Sequence, residues 1–185
     1  MKILIIDLEM TCADNGTIGA DDMEVIEIGA CWATEAGEVL ERFQTFVRPL
    51  VRPQLTLFCT TLTGIPQSAV DAAPQFPKAA EQLALFAGKF PKASSGWGSW
   101  GVSDRKQIDQ ECARHGLNHP LGGLVHRNLK AEFARRRKIK QVGLAKALQI
   151  VGLTREGAQH RALEDALNIA NLLASMKVLP QDPQS

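Results

Sequence analysis

Met1-Lys-Ile-Leu-Ile-Ile-Asp-Leu-Glu-Met10 opens the chain, and at its centre Ile3 to Ile6 form an unbroken apolar run in which three residues are β-branched. Such a run predicts a strand with both faces covered, as in the middle of a layered sheet. Asp7 and Glu9 follow directly. Side chains alternate along a strand, so residues two apart share a face and the strand end presents two carboxylates side by side. Neighbouring carboxylates repel unless one keeps a proton or a cation lies between them. The pair reads either as half of a metal site or as an acidic strand end that meets solvent.

Outward from this strand, residues 11–23 are rich in Gly, Asp and Asn and read as a loop. Second and third strands are predicted over residues 24–34 and 38–48, joined by Ala36-Gly37 as an antiparallel hairpin. Residues 54–91 read as broken helix, with an amphipathic stretch from Phe76 to Phe90. A fourth strand is expected over 93–100, then a helix from Ser103 or Asp104 to His115 closed by Gly116. Leu124-Val125 suggests a short fifth strand, and helices are predicted over 127–137, 142–151 and 161–177. This order implies one α/β domain, an antiparallel meander extended by parallel strands. The domain is expected to span residues 1–178, with a frayed tail over 179–185.

Bulk properties narrow the class. With 185 residues, 45% apolar and 22% charged, the chain can bury a core and is not of a disordered or collagen-like type. Net charge is +1, so any basic surface must be local. No apolar stretch approaches the ~20 residues of a membrane span, and no secretory signal is visible. Cys12, Cys31, Cys59 and Cys112 are scattered without a C-x-x-C pair, so reduced thiols and a cytoplasmic location are expected.

Two further acids join the first pair. Asp104 lies just past the fourth strand; if that strand runs parallel beside the first, Asp104 emerges at the same sheet edge, where open α/β sheets bind ligands. Asp165 falls near the start of the last helix, whose positive end suits a carboxylate, and His160 lies just upstream. Four carboxylates and an imidazole suit phosphodiester hydrolysis, in which two metal ions ~3.5–4 Å apart stabilise the attacking and leaving oxygens. Hard ions such as Mg²⁺ or Mn²⁺ prefer oxygen ligands, and a His titrating near neutrality can take a proton from water.

Asp7-x-Glu9, Asp104 and His160-x4-Asp165 together resemble the DEDDh 3′–5′ exonucleases of RNase H-like fold, and most closely their ERI-1-like and KapD-type branch. The resemblance runs through Asp7 to Cys12, Glu27 to Ala30, Phe46 to Pro49, Leu62 to Ile65, Trp97-Gly98, Asn128 to Lys130 and His160 to Ala170. It implies a three-layer fold with a mixed five-stranded sheet, three antiparallel N-terminal strands plus parallel ones, flanked by helices. It also implies that Asp7, Glu9, Asp104 and Asp165 bind two divalent ions, Mg²⁺ or Mn²⁺, with Asp7 touching both, and that His160 is the general base. Met10, Thr11, Leu62, Thr63, Gly64 and Ile65 would hold the terminal nucleotide. The substrate implied is a single-stranded 3′ end, RNA favoured over DNA. Two departures stand out: Ser99-Trp-Gly-Val-Ser103 intervenes before Asp104, which keeps Asp109 as the alternative ligand, and Glu156-Gly-Ala-Gln159 replaces an acidic, aromatic approach to His160.

Other readings remain beside these. A DNA-trimming or proofreading exonuclease, or a non-catalytic nucleic-acid-binding module, would share the fold. Trp32, Trp97 and Trp100 are either core or base-stacking platforms, and Arg135-Arg-Arg-Lys138 with Lys130 and Lys140 is either a solvated helix face or a phosphate-contacting patch.

Overall fold

The computed structural model describes residues 1–90 and 95–176. Five strands form one sheet: β1 (Lys2–Met10), β2 (Val25–Thr34), β3 (Val39–Phe46), β4 (Ser95–Ser99) and β5 (Val125–Asn128), in the order β3-β2-β1-β4-β5. β1 pairs antiparallel with β2 and parallel with β4; β2–β3 is antiparallel and β4–β5 parallel. The expected mixed sheet is present, with β1 at its centre. Seven helices accompany it among the described residues: α1 (Leu57–Thr63), α2 (Gln67–Asp71), α3 (Phe76–Ala87), α4 (Ser103–His115), α5 (Leu129–Arg137), α6 (Leu144–Ile150) and α7 (Ala162–Leu172).

Alternation along β1 builds both cores. Leu4, Ile6 and Leu8 face one layer, where they join Phe76 and Leu83 of α3 and Ile108 of α4. Ile3 and Ile5 face the other, packing with Leu129 and Phe133 of α5, Leu148 of α6 and Ile169 of α7. A smaller cluster, Ile26 with Cys59, Ile65 and Val70, seats α1 and α2 beside β2. Every β1 apolar side chain from Ile3 to Leu8 is buried, which is why the run needs no polar face.

Some boundaries differ from expectation. The fifth strand is Val125–Asn128 rather than Leu124-Val125, because Asn128 Oδ1 accepts from Ala131 N at 2.9 Å and so starts α5 two residues later than expected, at Leu129. The last helix gives way to a 3₁₀ turn at Leu173–Met176; Lys177 and the tail at 179–185 lie outside the described residues, as does the start of the predicted fourth strand at 93–94. Trp32 and Trp97 are core, and Trp100 packs on Phe133 while its indole N–H donates to Val142 O at 3.1 Å, so none is a free platform for bases. Arg135, Arg136 and Arg137 close α5, where cations suit the negative helix end. Among the described residues no helix is long and apolar enough to cross a membrane.

Candidate active site

Asp7 and Glu9 continue the face of β1 set by Ile3 and Ile5, and so turn toward α7. Asp165 meets them from the first turn of that helix. Among the described residues, Asp7, Glu9 and Asp165 each offer a carboxylate oxygen within 4.8 Å of the others. Asp104 comes from the opposite layer. It sits in the first turn of α4 and reaches round the strand end, where its Oδ1 accepts from the Leu8 backbone amide at 3.1 Å. It is outside the three-residue group, yet near enough for its charge to act on Asp7 and Glu9. Asp109 is elsewhere: its side chain is 53% exposed, 3.8 Å from Arg105 and 3.7 Å from His119.

Two residues of β2 let α7 come this close. Gly29 lies opposite Asp7, and a Cβ there would stand 2.0 Å from the carbonyl carbon of Ala162. Glu27 lies opposite Glu9 and is fully buried; it accepts from Arg161 Nε at 3.2 Å, Arg161 Nη2 at 3.0 Å and the Ala162 amide at 3.0 Å. That carboxylate satisfies a free N–H at the helix start and pairs the arginine beside it. Gly29→Ala is therefore expected to push α7 off the sheet. The clash is with backbone, so we expect a loss of about 1–3 kcal/mol or more in urea unfolding, together with weaker 3′-end cleavage as Asp165 moves.

The segment before α7 is held by Asn168, whose Oδ1 accepts from Glu156 N at 3.0 Å while its Nδ2 donates to Glu156 O and Glu164 O, both at 2.8 Å. This segment carries Arg155, which is ion-paired with Asp165, and His160, which has a left-handed backbone at φ 59°.

The acids crowd one another. Burial, then the charges of Asp104 and Glu9, hold the Asp7 carboxyl well above its ordinary value. Burial, with Glu27 and Asp104, pushes Glu9 up to about 8. Burial raises Asp104 to about 6 against hydrogen bonds from its own amide, the Leu8 amide and the Ser99 hydroxyl. His160 moves the other way, lowered by burial and by Arg155. An all-oxygen set of buried like charges is what a hard divalent cation relieves, so these residues fit Mg²⁺ or Mn²⁺.

His160 borders a hollow of about 460 Å³ shared with Phe58, Thr61, Leu62 and Gln159. Phe58 and Leu62 are one turn apart on α1 and both are partly exposed. The nucleotide-holding set expected from sequence divides here. Leu62 borders the hollow and Met10 is half-buried. The side chains of Thr11, Thr63 and Ile65 turn inward, which leaves contact with a nucleotide from these positions to the backbone. Thr11 Oγ accepts from Glu24 N at 3.0 Å, Thr63 Oγ donates to Cys59 O at 2.8 Å, and Ile65 is core. Gly64 ends α1 at φ 68°, a left-handed cap that suits glycine. Sequence reasoning missed Phe58, Arg155 and Asn168 and gave Glu27 and Arg161 no role. A lone Glu inside the apolar run Val25-Ile-Glu-Ile28 was the available signal for Glu27; Arg155 had none.

A mixed sheet with two acids at the end of its central strand, one on the helix that follows the adjacent parallel strand and one on its last helix defines an RNase H-like exonuclease fold. An exonuclease family model, RNase_T, matches residues 4–95. The chain is 32% identical over 186 residues to "Probable 3'-5' exonuclease KapD" of Bacillus subtilis, covering 99% of this chain and 86% of that protein. It is 31% identical to mouse 3'-5' exoribonuclease 1 over 94% of this chain, spanning about half (52%) of that longer relative. The solved nuclease domain of 3'hExo, a DEDDh family member, bound to rAMP, superposes with a TM-score of 0.84 at 27% identity, covering 95% of this chain and 90% of that one. The chain belongs to this family of 3′–5′ exonucleases.

Proposed function

We propose that the protein is a metal-dependent 3′–5′ exonuclease acting on single-stranded nucleic acid, with RNA preferred over DNA. The observation that carries this reading is the convergence of Asp7, Glu9 and Asp165 within 4.8 Å. Asp7, Glu9, Asp104 and Asp165 would hold two ions, Mg²⁺ or Mn²⁺, with Asp104 rather than the outward Asp109 as the mid-chain ligand. Bound there, the ions supply a stronger nucleophile and charge stabilisation for the attacking and leaving oxygens. The protein's own part is to orient the substrate and move a proton. His160, lowered from its ordinary pKa by burial and by Arg155, would accept the proton of the attacking water in place of its contact with the Gln159 amide, 3.2 Å from its Nε2. Phe58 and Leu62 present apolar surface against which the terminal base can pack. The RNA preference draws on likeness to the exoribonucleases.

The test incubates pure protein with 3′-extended, 5′-labelled single-stranded RNA and DNA in Mn²⁺, Mg²⁺ or EDTA. Laddering from the 3′ end in metal, faster on RNA and abolished by EDTA, is the expected result. His160→Ala should lower kcat by about 10²–10⁴-fold with Mn²⁺ affinity retained. Absence of laddering in either metal overturns the catalytic reading, and equal rates on DNA overturn the preference.

A further inference from the structure

Arg155 has no part in the chemistry just proposed, yet it lies inside the acid cluster. Its Nη2 donates to Asp165 Oδ1, and its side chain is only 18% exposed. Asp7, Glu9 and Glu164 attract it as well. It is not a loosely held surface arginine. Asn168 fixes the next residue, Glu156, at both its N–H and its carbonyl, so the backbone that presents the guanidinium is tied to the same helix as Asp165. A comparison with Arg161 is informative. Arg161 engages Glu27 through both Nε and Nη2, a forked structural pair. Arg155 uses one nitrogen on Asp165, and its buried Nε has no hydrogen-bond partner among the described residues, a donor available to a second acceptor.

We infer that Arg155 is a positioning residue that competes with a divalent cation for Asp165 and passes its guanidinium to the nucleotide's phosphate when the metal binds. The inference rests on the metal-site reading above. Its physical basis is charge. Asp7, Glu9, Glu27, Asp104, Glu164 and Asp165 set six carboxylates against two guanidiniums, a formal excess of four negative charges. Two divalent ions would offset that excess, so the guanidinium is no longer needed at Asp165. A guanidinium displaced from Asp165 would be a buried, unpaired cation unless another anion met it. Phosphate is the anion the substrate brings, and the planar fork of arginine suits it as well as it suits a carboxylate. Metal loading at Asp165 and nucleotide binding are thereby coupled.

Mn²⁺ binding to the full chain, measured by calorimetry with and without a nucleoside 5′-monophosphate, tests this without relying on turnover. In wild type the nucleotide should tighten Mn²⁺ binding. Arg155→Gln should bind Mn²⁺ about ten- to a hundredfold more tightly without nucleotide, and the nucleotide should then add little. A residue that only supported the fold would weaken metal binding when lost. Arg155→Lys keeps the charge but loses the fork, and should show near-wild-type Mn²⁺ affinity with reduced nucleotide coupling; it also serves if the Gln variant does not fold. Equal or weaker Mn²⁺ affinity in natively folded Arg155→Gln, or wild-type coupling in Arg155→Lys, overturns the inference while leaving the metal site standing. A wild-type chain that binds no Mn²⁺ overturns the metal-site reading instead.

Discussion

Asp7→Asn is expected to cut 3′-end cleavage by about 10³-fold or more, since on the metal-site reading Asp7 would hold ions that contribute several kcal/mol of transition-state charge stabilisation. The same variant should melt higher than wild type in EDTA, by ~2–4 °C for each kcal/mol of repulsion relieved. The two effects have one cause. Asp7 is partly buried, and burial together with Asp104 and Glu9 penalises its charged form. Asn keeps the shape and removes the charge, so the fold loses a conflict and the site loses a ligand. A group kept for stability would show losses in both measurements. Gel assays on labelled RNA and thermal melts in chelator read the two sides separately, and undiminished cleavage would move the catalytic centre away from β1.

The conflict at Asp7 was already legible in the sequence, because it needs only one strand. Ile3 to Ile6 can be buried on both faces only at the middle of a sheet, and period-two alternation then forces Asp7 and Glu9 onto a common face. That this face meets α7, and that Asp104 reaches round from the other layer, depends on crossovers that no local pattern encodes. Thr11, Thr63 and Ile65 illustrate a different limit. The resemblance marks the segments that carry them, but burial chooses which atoms face out, and two hydroxyls are consumed by backbone partners nearby. Phe58 falls in broken helix with no periodic pattern to set its direction; on α1 it borders the hollow with Leu62. Arg155 depended on a loop whose shape is set by Asn168, a buried polar residue one helix turn beyond Glu164.

In EDTA the protein is expected to lose stability as pH rises from about 6.5 to 8. Unfolded carboxylates titrate near their ordinary values, about 3.9 for Asp and 4.3 for Glu. Glu9 in the folded chain is pushed up to about 8 by burial, Glu27 and Asp104, and Asp7 is raised well above its ordinary value. Below the unfolded values both states are protonated and these groups favour neither. Above them the unfolded chain has released its protons while the folded chain still holds some, so each further rise in pH favours unfolding until the folded groups ionise as well. Asp104, at about 6, has spent most of its contribution before this window opens. His119, His126 and His160, all lowered chiefly by burial, act in the opposite sense, favouring the folded state as pH rises, a gain that is half complete at the unfolded imidazole value of ~6.5 and fades over the next unit. Above about pH 7.5 the acid cluster therefore acts alone. Across the whole rise Glu9 accounts for about 2 kcal/mol, or ~4–8 °C in melting temperature, against the smaller return from the histidines. Glu9→Gln should flatten the profile. Saturating Mn²⁺ should reverse the slope, because its binding competes with protons for the same oxygens and grows stronger as they leave. A chelated protein whose melting temperature holds steady or climbs between these pH values would show that its carboxylates are not confined together.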